Sequence, residues 1–351
     1  MIQTVLSSYG FSKHETSAEA FGKGLINNTW KVIAGGKAYI LQRINDKIFK
    51  EPGDIANNIK LIKDHLDQQH PGYNFVAPVI SAYGDEMLFI KGEGFFRLFP
   101  FVTGSHSKDV VGTPEQAYEA AVQFGRFTKL LSGVDLKKFK ITIPGFHDLS
   151  LRYRQFTEAI KSGNKQRINE SKDLVTLVSK HAGIVKMYEN IKADPAFHLR
   201  VTHHDTKISN VLFDKNDKGL CVIDLDTVMP GYFISDVGDM MRTYLSPVSE
   251  EEKDLSKIGI RDAFYRAIVQ GYVDEMKDEL TETEKKYFFY AGAFMIYMQA
   301  VRFLTDFIND DVYYGAKYPK HNCIRAKNQL TLLDRFLEKE TLLNNYFTQG
   351  R

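Results

Sequence analysis

A chain of 351 residues is long enough to form two lobes or domains around a large hydrophobic core. Its formal net charge of +2 leaves no excess of basic residues for an extended nucleic-acid surface, and no apolar run is long enough to span a membrane. The two distant cysteines, Cys221 and Cys323, do not make a disulfide framework. We therefore expect a cytoplasmic protein, most simply a monomer, without membrane or nucleic-acid partners.

The first hundred residues have the pattern of an antiparallel sheet with one inserted helix. Residues up to about 20 predict a leading helix. Short runs of apolar and aromatic residues, separated by turn residues, then predict five strands. The first strand is expected within residues 21–32 and the others at about residues 38–44, 79–83, 86–90 and 94–99, with the inserted helix at residues 55–66.

The rest of the chain has a mainly helical pattern. Pro100 ends strand pairing after Phe99 and marks a linker. Helices are predicted at about residues 113–131, 148–163, 165–193, 249–277 and from Thr281 onward, where Thr281 and Glu284 have the spacing of a capping box. The sequence therefore predicts an α+β fold of two lobes, with an antiparallel sheet in residues 1–101 and a larger, mainly helical lobe in residues 102–351.

Residues 203–210, His-His-Asp-Thr-Lys-Ile-Ser-Asn, carry the most informative pattern in the sequence. A predicted hairpin follows and ends at Asp224, so that Asp205, Asn210 and Asp224 are expected to come together. Phosphoryl transfer uses such a set: an Asp takes the proton of the attacking hydroxyl, a Lys reaches the moving phosphate, and Asn and Asp oxygens bind Mg²⁺. We therefore expect Asp205 and Lys207 to be catalytic, and Asn210 and Asp224 to bind Mg²⁺.

This spacing is also that of protein kinases, H-R-D-x-K-x-x-N followed by a metal-binding Asp, with His204 in place of Arg. Protein kinases cover the nucleotide phosphates with a glycine-containing hairpin, because glycine lets backbone N–H groups approach closely. The first predicted hairpin offers Gly24, Asn27 and Thr29 for that role. An ordinary hairpin turn is the alternative.

Two further features of the N-terminal lobe are candidates for nucleotide binding. Gln42 stands where the protein-kinase pattern has its strand lysine, and Arg43 follows it. Strand alternation lets only one of the two face the nucleotide, and both remain candidates. The linker at Phe99 and Phe101 offers backbone groups to an adenine ring, with a plain proline-containing linker as the alternative.

The strand lobe, linker and helical lobe, together with the two motifs, resemble the aminoglycoside phosphotransferase and choline kinase superfamily, whose fold is protein-kinase-like. Several longer strings resemble the bacterial N-acetylhexosamine 1-kinases more closely: residues 24–29, 41–45, 205–207, 223–231 and 301–306. That resemblance implies ATP and Mg²⁺ as cofactors, and GlcNAc or GalNAc as a sugar substrate phosphorylated at its anomeric hydroxyl. It also implies that Asp205, Arg302 and Tyr313 lie around the sugar.

Three alternatives remain open. An ion pair with Asp306, four residues along the same helix, is the structural explanation of Arg302. The same fold also serves kinases of other small alcohols, such as an aminoglycoside, choline or homoserine. A non-catalytic nucleotide-binding protein is the third alternative, because position 42 lacks the lysine and the helix at 55–66 offers no evident carboxylate partner.

Overall fold

The structure is a computed structural model that describes residues 2–22 and 26–349, apart from the side chains of residue 15 and residues 345–349. It confirms the predicted fold class: an antiparallel five-stranded sheet lies in the N-terminal part, and helices dominate the rest. Gly24, one of the predicted nucleotide contacts, falls outside the described residues.

The sheet contains β1 to β5 in the order β1-β2-β3-β5-β4, and each neighbouring pair is antiparallel. Its strands are β1 (Thr16–Ala20), β2 (Asn28–Ala34), β3 (Lys37–Arg43), β4 (Leu88–Ile90) and β5 (Gly94–Pro100). Four short strands occur later in the chain: β6 (Arg200–Thr202), β7 (Val211–Phe213), β8 (Gly219–Val222) and β9 (Met229–Gly231).

Helix α1 (Ile2–Ser7) precedes the sheet, and α2 (Pro52–Gln69) is inserted between β3 and β4. The helices that follow the sheet are α3 (Pro114–Leu130), α4 (Leu149–Ser162), α5 (Lys165–Glu170), α6 (Lys172–Lys180), α7 (Gly183–Ala193), α8 (Phe233–Tyr244), α9 (Asp262–Met276), α10 (Phe288–Ile308), α11 (His321–Leu337) and α12 (Glu340–Gln349).

The prediction of a leading helix up to about residue 20 is wrong beyond Ser7. Residues 16–20 form β1, which pairs with β2 along its whole length. The segment is an edge strand and four of its five residues are exposed, so it lacks the alternation that identifies a half-buried strand. Its Glu and Ala residues favour a helix by propensity, and strand pairing overrides that preference.

The strand expected at residues 79–83 is also wrong. Val79 donates one sheet-like hydrogen bond to the carbonyl of Leu98, at 2.6 Å. The hydroxyl of Ser81 then accepts hydrogen bonds from the backbone N–H groups of Tyr83 and Asp85, which closes a turn where a strand would continue. The number of strands is therefore right, but β1 takes the place of this segment.

Two predicted helices are shorter than expected. The segment 165–193 divides into α5, α6 and α7, and the first break lies at Ser171, where the backbone leaves helical geometry with φ of −110° and ψ of 18°. The segment 249–277 contains a 3₁₀ helix at Leu255–Lys257 and is α-helical only from Asp262.

The chain divides into two compact units. The first comprises the described residues up to Ser107 together with Leu130–Pro144 and Asn210–Pro230. The second comprises Lys108–Lys129, Gly145–Ser209 and the described residues from Gly231 onward. The segment 203–210 therefore passes from the second unit to the first between Ser209 and Asn210, and a division of the chain near residue 101 stays a prediction.

Each unit has its own hydrophobic core. In the first, α1 packs on the sheet through buried residues listed together here: Val5, Leu6, Val32, Ala34, Leu41, Leu88, Phe96 and Leu98. In the second, the core is built around α10, which is buried over most of its length and packs against α4, α8 and α11. Among the described residues, no helix combines the length and apolarity needed to cross a membrane.

The predicted capping box is present. The Thr281 hydroxyl accepts a hydrogen bond from the Glu284 N–H at 3.0 Å, and the Glu284 carboxylate accepts one from the Thr281 N–H at 2.9 Å. The same carboxylate is fully buried and forms a two-point ion pair with Arg200, at 2.7 and 2.8 Å. Glu284 thus ties the segment before α10 to the strand that leads into the segment 203–210.

We expect Glu284→Ala to lower the free energy of unfolding by about 3–5 kcal/mol, because it leaves Arg200 buried without its carboxylate. The matched control is Glu282→Ala, whose side chain is 70% exposed in an ion pair with Lys285 and should contribute about 1 kcal/mol or less. Urea unfolding of both variants measures the difference. Equal losses would contradict this role for Glu284.

Candidate active site

The segment 203–209 is held by two carboxylates of α8. Asp236 accepts hydrogen bonds from the backbone N–H groups of His203 and His204, at 2.9 and 2.8 Å. Asp239, one helical turn further, accepts one from the N–H of Thr206 at 2.9 Å. Both carboxylates are buried, so the backbone of this loop is fixed from inside the second unit.

The side chains of His203 and His204 are packed inside the second unit. The ring of His203 is fully buried and meets the ring of Phe124 edge-on at 5.1 Å. His204 has a left-handed backbone conformation, with φ of 65°. Gly231 passes so close to its ring that any side chain at position 231 would overlap with His204 and Thr202. Position 231, the last residue of the string 223–231, therefore requires glycine.

Asp205 lies at the surface end of this fixed loop. Its carboxylate is 3.0 Å from the Nζ atom of Lys207, and the side chain of Asp205 is 20% exposed. A partly exposed carboxylate on a rigid backbone, with a cation beside it, is suited to accept a proton from a bound hydroxyl while the lysine offsets negative charge.

A largely buried series of ionic contacts continues from Asp239. Arg242 binds Asp239 at 3.0 Å and Glu250 at 2.8 Å. Glu250 in turn pairs with Arg325 of α11. Burial lowers the pKa of Arg242, but the two carboxylates outweigh it and raise this pKa above its ordinary value, so that the guanidinium stays charged.

Arg302 and Tyr313, the predicted sugar contacts, lie close together in the second unit. The guanidinium donates to the Tyr313 hydroxyl at 3.4 Å and lies 5.4–5.8 Å from the ring centres of Phe146, Tyr313 and Tyr314. Asp306 instead accepts hydrogen bonds from the backbone N–H groups of Tyr313 and Tyr314, at 2.7 and 2.9 Å. The alternative of an Arg302–Asp306 ion pair is therefore wrong, and among the described residues Arg302 has no carboxylate partner.

His147 belongs to the same group of side chains, and no pattern around it in the sequence predicted this position. Its ring stacks on Phe146 at 4.5 Å and lies 5.2 Å from the ring of His204. Burial, followed by the positive potential of neighbouring groups that include Arg302 and Arg152, lowers the pKa of His147 well below its ordinary value. The imidazole is therefore neutral and has cations around it.

In the first unit, the hairpin of β7 and β8 brings Asn210 and Asp224 to the same end. Val211 pairs with Val222, and the N–H of Ile223 donates to the carbonyl of Asn210 at 2.9 Å. Asp224 is exposed and has a left-handed backbone, with φ of 63° and ψ of 62°, which is an uncommon conformation for a residue with a side chain. The side-chain oxygens of an asparagine and an aspartate are of the kind that a hard divalent cation such as Mg²⁺ prefers, and these two residues lie at the same end of the hairpin.

Gln42 takes part in a buried polar network of the first unit. Thr29 on β2, Gln42 on β3 and Arg97 on β5 lie opposite one another across the three strands. The Gln42 carbonyl oxygen accepts hydrogen bonds from Nε and Nη2 of Arg97, at 3.1 and 2.8 Å, and Nη2 also lies 2.5 Å from the carboxylate of Asp226. The other oxygen of Asp226 accepts a hydrogen bond from the Asn27 amide at 2.7 Å.

The sequence did not identify this cation or its carboxylate partner. Arg97 is only 1% exposed and interrupts an otherwise apolar strand, which is the signal that could have drawn attention to it. Helix α2 offers Asn58 where a carboxylate was sought. Its amide donates to the carbonyls of Lys140 and Val228, at 2.8 and 3.0 Å. The carboxylate opposite the strand cation is Asp226.

The remaining nucleotide candidates divide between the two faces of the sheet. Phe99 shares the face of Arg97, whose guanidinium lies 5.0 Å from the centre of the Phe99 ring. Phe101 follows on the same side and meets the exposed ring of Phe21 edge-on at 6.3 Å. Arg43 alternates to the opposite face, where its strand contributes Leu41 to the core.

Comparisons with known proteins agree with the protein-kinase-like expectation for the fold. A family model described as a phosphotransferase enzyme family matches residues 17–279. Three solved structures illustrate the similarity of fold. An aminoglycoside phosphotransferase from Alicyclobacillus acidocaldarius has 14% identity and a TM-score of 0.67 over 99% of this chain and 96% of that one. A microcompartment-associated aminopropanol kinase has 15% identity and a TM-score of 0.62 over 98% of both chains.

The third structure is the amicoumacin kinase hAmiN, which was solved in complex with AMP-PNP and Ca²⁺. It has 16% identity and a TM-score of 0.61, and the match covers 95% of this chain and 93% of that one. At such identities the likeness concerns the fold, and a kinase of this fold binds an ATP analogue together with a divalent cation.

Asp236 should make the stability of the protein depend on pH. Burial raises its pKa to about 7, although hydrogen bonds from the N–H groups of His203 and His204 act in the opposite direction. The folded state then keeps a proton that the unfolded state releases near its ordinary value of 3.8, so the free energy of unfolding should fall as the pH rises from about 4 to about 7.

Urea unfolding of the wild type and of Asp236→Asn at several pH values measures this effect. We expect the wild type to lose its advantage over the variant as the pH rises through that window. Asp239, whose pKa is also raised by burial, is present in both proteins, and its interaction with Asp236 is part of the measured difference. A difference that stays constant from pH 5 to pH 8 would contradict the assignment.

Proposed function

The chain belongs to the phosphotransferase enzyme family, and we propose that it transfers the γ-phosphate of ATP, bound with Mg²⁺, to the anomeric hydroxyl of an N-acetylhexosamine. The observation that carries the proposal is the rigid placement of Asp205 beside Lys207, on a loop whose backbone is fixed by Asp236 and Asp239. Such placement is what phosphoryl transfer requires of a protein, since positioning and charge neutralisation supply most of the catalysis.

Each residue has one role in the proposed reaction. The carboxylate of Asp205 takes the proton of the anomeric hydroxyl while the hydroxyl oxygen forms a bond to the γ-phosphorus of ATP. The bond from that phosphorus to the β–γ bridging oxygen breaks, and ADP is released. Lys207 neutralises part of the charge on the transferred group. Asn210 and Asp224 hold Mg²⁺, which when bound offsets the negative charge of the phosphates.

The electrostatics of the second unit favour a neutral acceptor. Arg302 has no carboxylate partner among the described residues, and Arg302 and Arg152 add to the effect of burial in lowering the pKa of His147. An aminoglycoside, an amino alcohol or choline would bring a further positive charge to these groups. A sugar amide brings none: its oxygens accept hydrogen bonds from a guanidinium, and an aromatic ring such as Tyr313 can cover the apolar side of the sugar.

The choice of an N-acetylhexosamine over other neutral alcohols rests on the resemblance of the longer sequence strings and on the pairing of Arg302 with Tyr313. Homoserine is a zwitterion and does not offer a ring for an aromatic side chain to cover. Other neutral sugars remain the nearest competitors, and a substrate panel separates them.

The test is incubation of the purified protein with Mg-ATP and a panel of acceptors: GlcNAc, GalNAc, glucose, galactose, choline, homoserine, aminopropanol and an aminoglycoside. ADP release gives the rate, and ³¹P NMR identifies a phosphate on the anomeric oxygen. We expect the two N-acetylhexosamines to give the highest kcat/KM. Faster turnover of a cationic alcohol would overturn the proposed substrate, and ATP binding without turnover of any acceptor would support the non-catalytic alternative.

Asp205→Asn should reduce kcat by about 10²- to 10⁴-fold, because the hydroxyl loses its proton acceptor. The affinity for Mg-ATP, measured by isothermal titration, should stay within about threefold of the wild type, since the substitution keeps the size of the side chain. The control is Asp278→Asn at an exposed position beyond the end of α9. Full activity in the Asp205 variant would remove this residue from the mechanism.

A further inference from the structure

The first unit contains an arginine where the protein-kinase pattern would have a lysine on the adjacent strand. Gln42 occupies the register position of that lysine on β3, and Arg97 lies directly opposite it on β5. Residues opposite one another in an antiparallel pair project from the same face of the sheet. Moving the cation by one strand therefore keeps it on the face that carries Thr29, Gln42 and Phe99.

We propose that Arg97 binds the α- and β-phosphates of the nucleotide and replaces the missing strand lysine. The inference rests on the proposed function in one respect, namely that the bound nucleotide is ATP. Arg97 lies outside the motif at 203–210, and it lies on β5, whereas the sequence predicts the phosphate-binding side chain on β3.

The hydrogen bonding of the Arg97 guanidinium leaves one donor group for a ligand. Nε and Nη2 are taken by the Gln42 carbonyl oxygen and the Asp226 carboxylate. Nη1 is buried and has no hydrogen-bond partner among the described residues. A buried donor without an acceptor is unfavourable, and a phosphate oxygen is the acceptor that suits a guanidinium best.

The other two members of the network orient that donor. Gln42 accepts two hydrogen bonds through one oxygen and so fixes the rotation of the guanidinium. Asp226 fixes its opposite edge and also accepts the hydrogen bond from Asn27, in the turn before β2. The pair of Arg97 and Asp226 thus corresponds to the lysine–glutamate pair that protein kinases need for a productive nucleotide complex.

The network also connects three parts of the proposed nucleotide site within the first unit. Asp226 lies two residues beyond Asp224, the proposed Mg²⁺ ligand, and Asn27 follows the hairpin predicted to cover the phosphates. The amide oxygen of Asn27 accepts a hydrogen bond from the N–H of Asn45 at 3.0 Å, so that the side chain of Asn27 is held on both of its polar atoms. A phosphate bound at Arg97 would adjoin each of these parts.

The test compares the affinity of the full-length protein for adenosine with its affinity for Mg-ADP, both by isothermal titration. We expect Arg97→Met to weaken Mg-ADP binding by about tenfold or more, the usual effect of losing a hydrogen bond between charged groups. Adenosine affinity should change by less than about twofold, because the nucleoside has no phosphate. ADP without Mg²⁺ is titrated in parallel, because a purely structural arginine whose loss disturbs Asp226 and the nearby Asp224 would weaken the binding of Mg-ADP but not that of metal-free ADP.

Arg97→Lys provides a second test if Arg97→Met does not fold. Lysine retains the charge and the pairing with Asp226, but its donors sit on a single nitrogen that cannot span Gln42, Asp226 and a phosphate as the planar guanidinium does, so Mg-ADP affinity should again fall more than adenosine affinity. In the double variant Gln42→Lys with Arg97→Met, the cation returns to β3, and a partial recovery of Mg-ADP affinity is expected. No recovery would show that position 42 does not face the phosphates.

Two results would overturn the inference without affecting the proposed function. The first is wild-type Mg-ADP affinity in both Arg97 variants. The second is a selective loss of Mg-ADP binding in Arg43→Met, which would place the phosphate contact on the opposite face of β3. A wild-type protein that binds no adenine nucleotide would instead refute the proposed function itself.

Discussion

The hydrogen bonds from the backbone of residues 203–206 to Asp236 and Asp239 are the constraint on which the candidate active site depends. Burying a carboxylate is costly, and each of the two compensates by accepting N–H groups from one short loop. The position of Asp236 in the first turn of α8 adds the favourable potential of a helix N-terminus. These hydrogen bonds and the close contact with Gly231 stabilise the left-handed backbone conformation of His204, which is unfavourable by itself.

The same carboxylates connect the loop to the proposed acceptor residues. From Asp239 the ionic contacts run through Arg242 and Glu250 to Arg325, which donates to the side chain of Asn322. The amide of Asn322 donates a hydrogen bond to the carboxylate of Asp306, which also accepts hydrogen bonds from the backbone N–H groups of Tyr313 and Tyr314. One polar network within the second unit therefore positions both the loop of Asp205 and the aromatic residues beside Arg302. Substitutions along it should change acceptor geometry and proton transfer together.

The parts of the structure that the sequence predicted correctly depend on neighbouring residues. The capping box joins Thr281 to Glu284, and the hairpin of β7 and β8 spans a few residues between Asn210 and Asp224. The motif of residues 203–210 could be recognised because its spacing is local. Strand β1 was missed because an exposed edge strand has no periodic pattern, and pairing with β2 decides its structure.

The network around Arg97 could not be predicted for a different reason. Asn27, Gln42, Arg97 and Asp226 come from four distant parts of the chain, and only the completed sheet and the hairpin after Asn210 bring them together. Neither the cation nor its carboxylate partner lies on β3 or α2, the two elements that carry this pair in the protein-kinase pattern. The sequence alone shows an arginine in an apolar strand and an aspartate after a predicted metal-binding motif, with no indication that they meet.

Because Arg97 pairs with Asp226, helix α2 does not supply the carboxylate partner of the cation in the sheet. In protein kinases the glutamate that pairs with the strand lysine lies on the corresponding helix, and movement of that helix makes or breaks the pair. Here Asn58 anchors α2 through hydrogen bonds to the backbone of Lys140 and Val228, and its own oxygen accepts the N–H of Lys140 at 2.8 Å. The carboxylate of the pair belongs to the segment after Asp224 instead. The cation of the sheet is therefore held in place without α2, and a displacement of this helix would not separate Arg97 from Asp226.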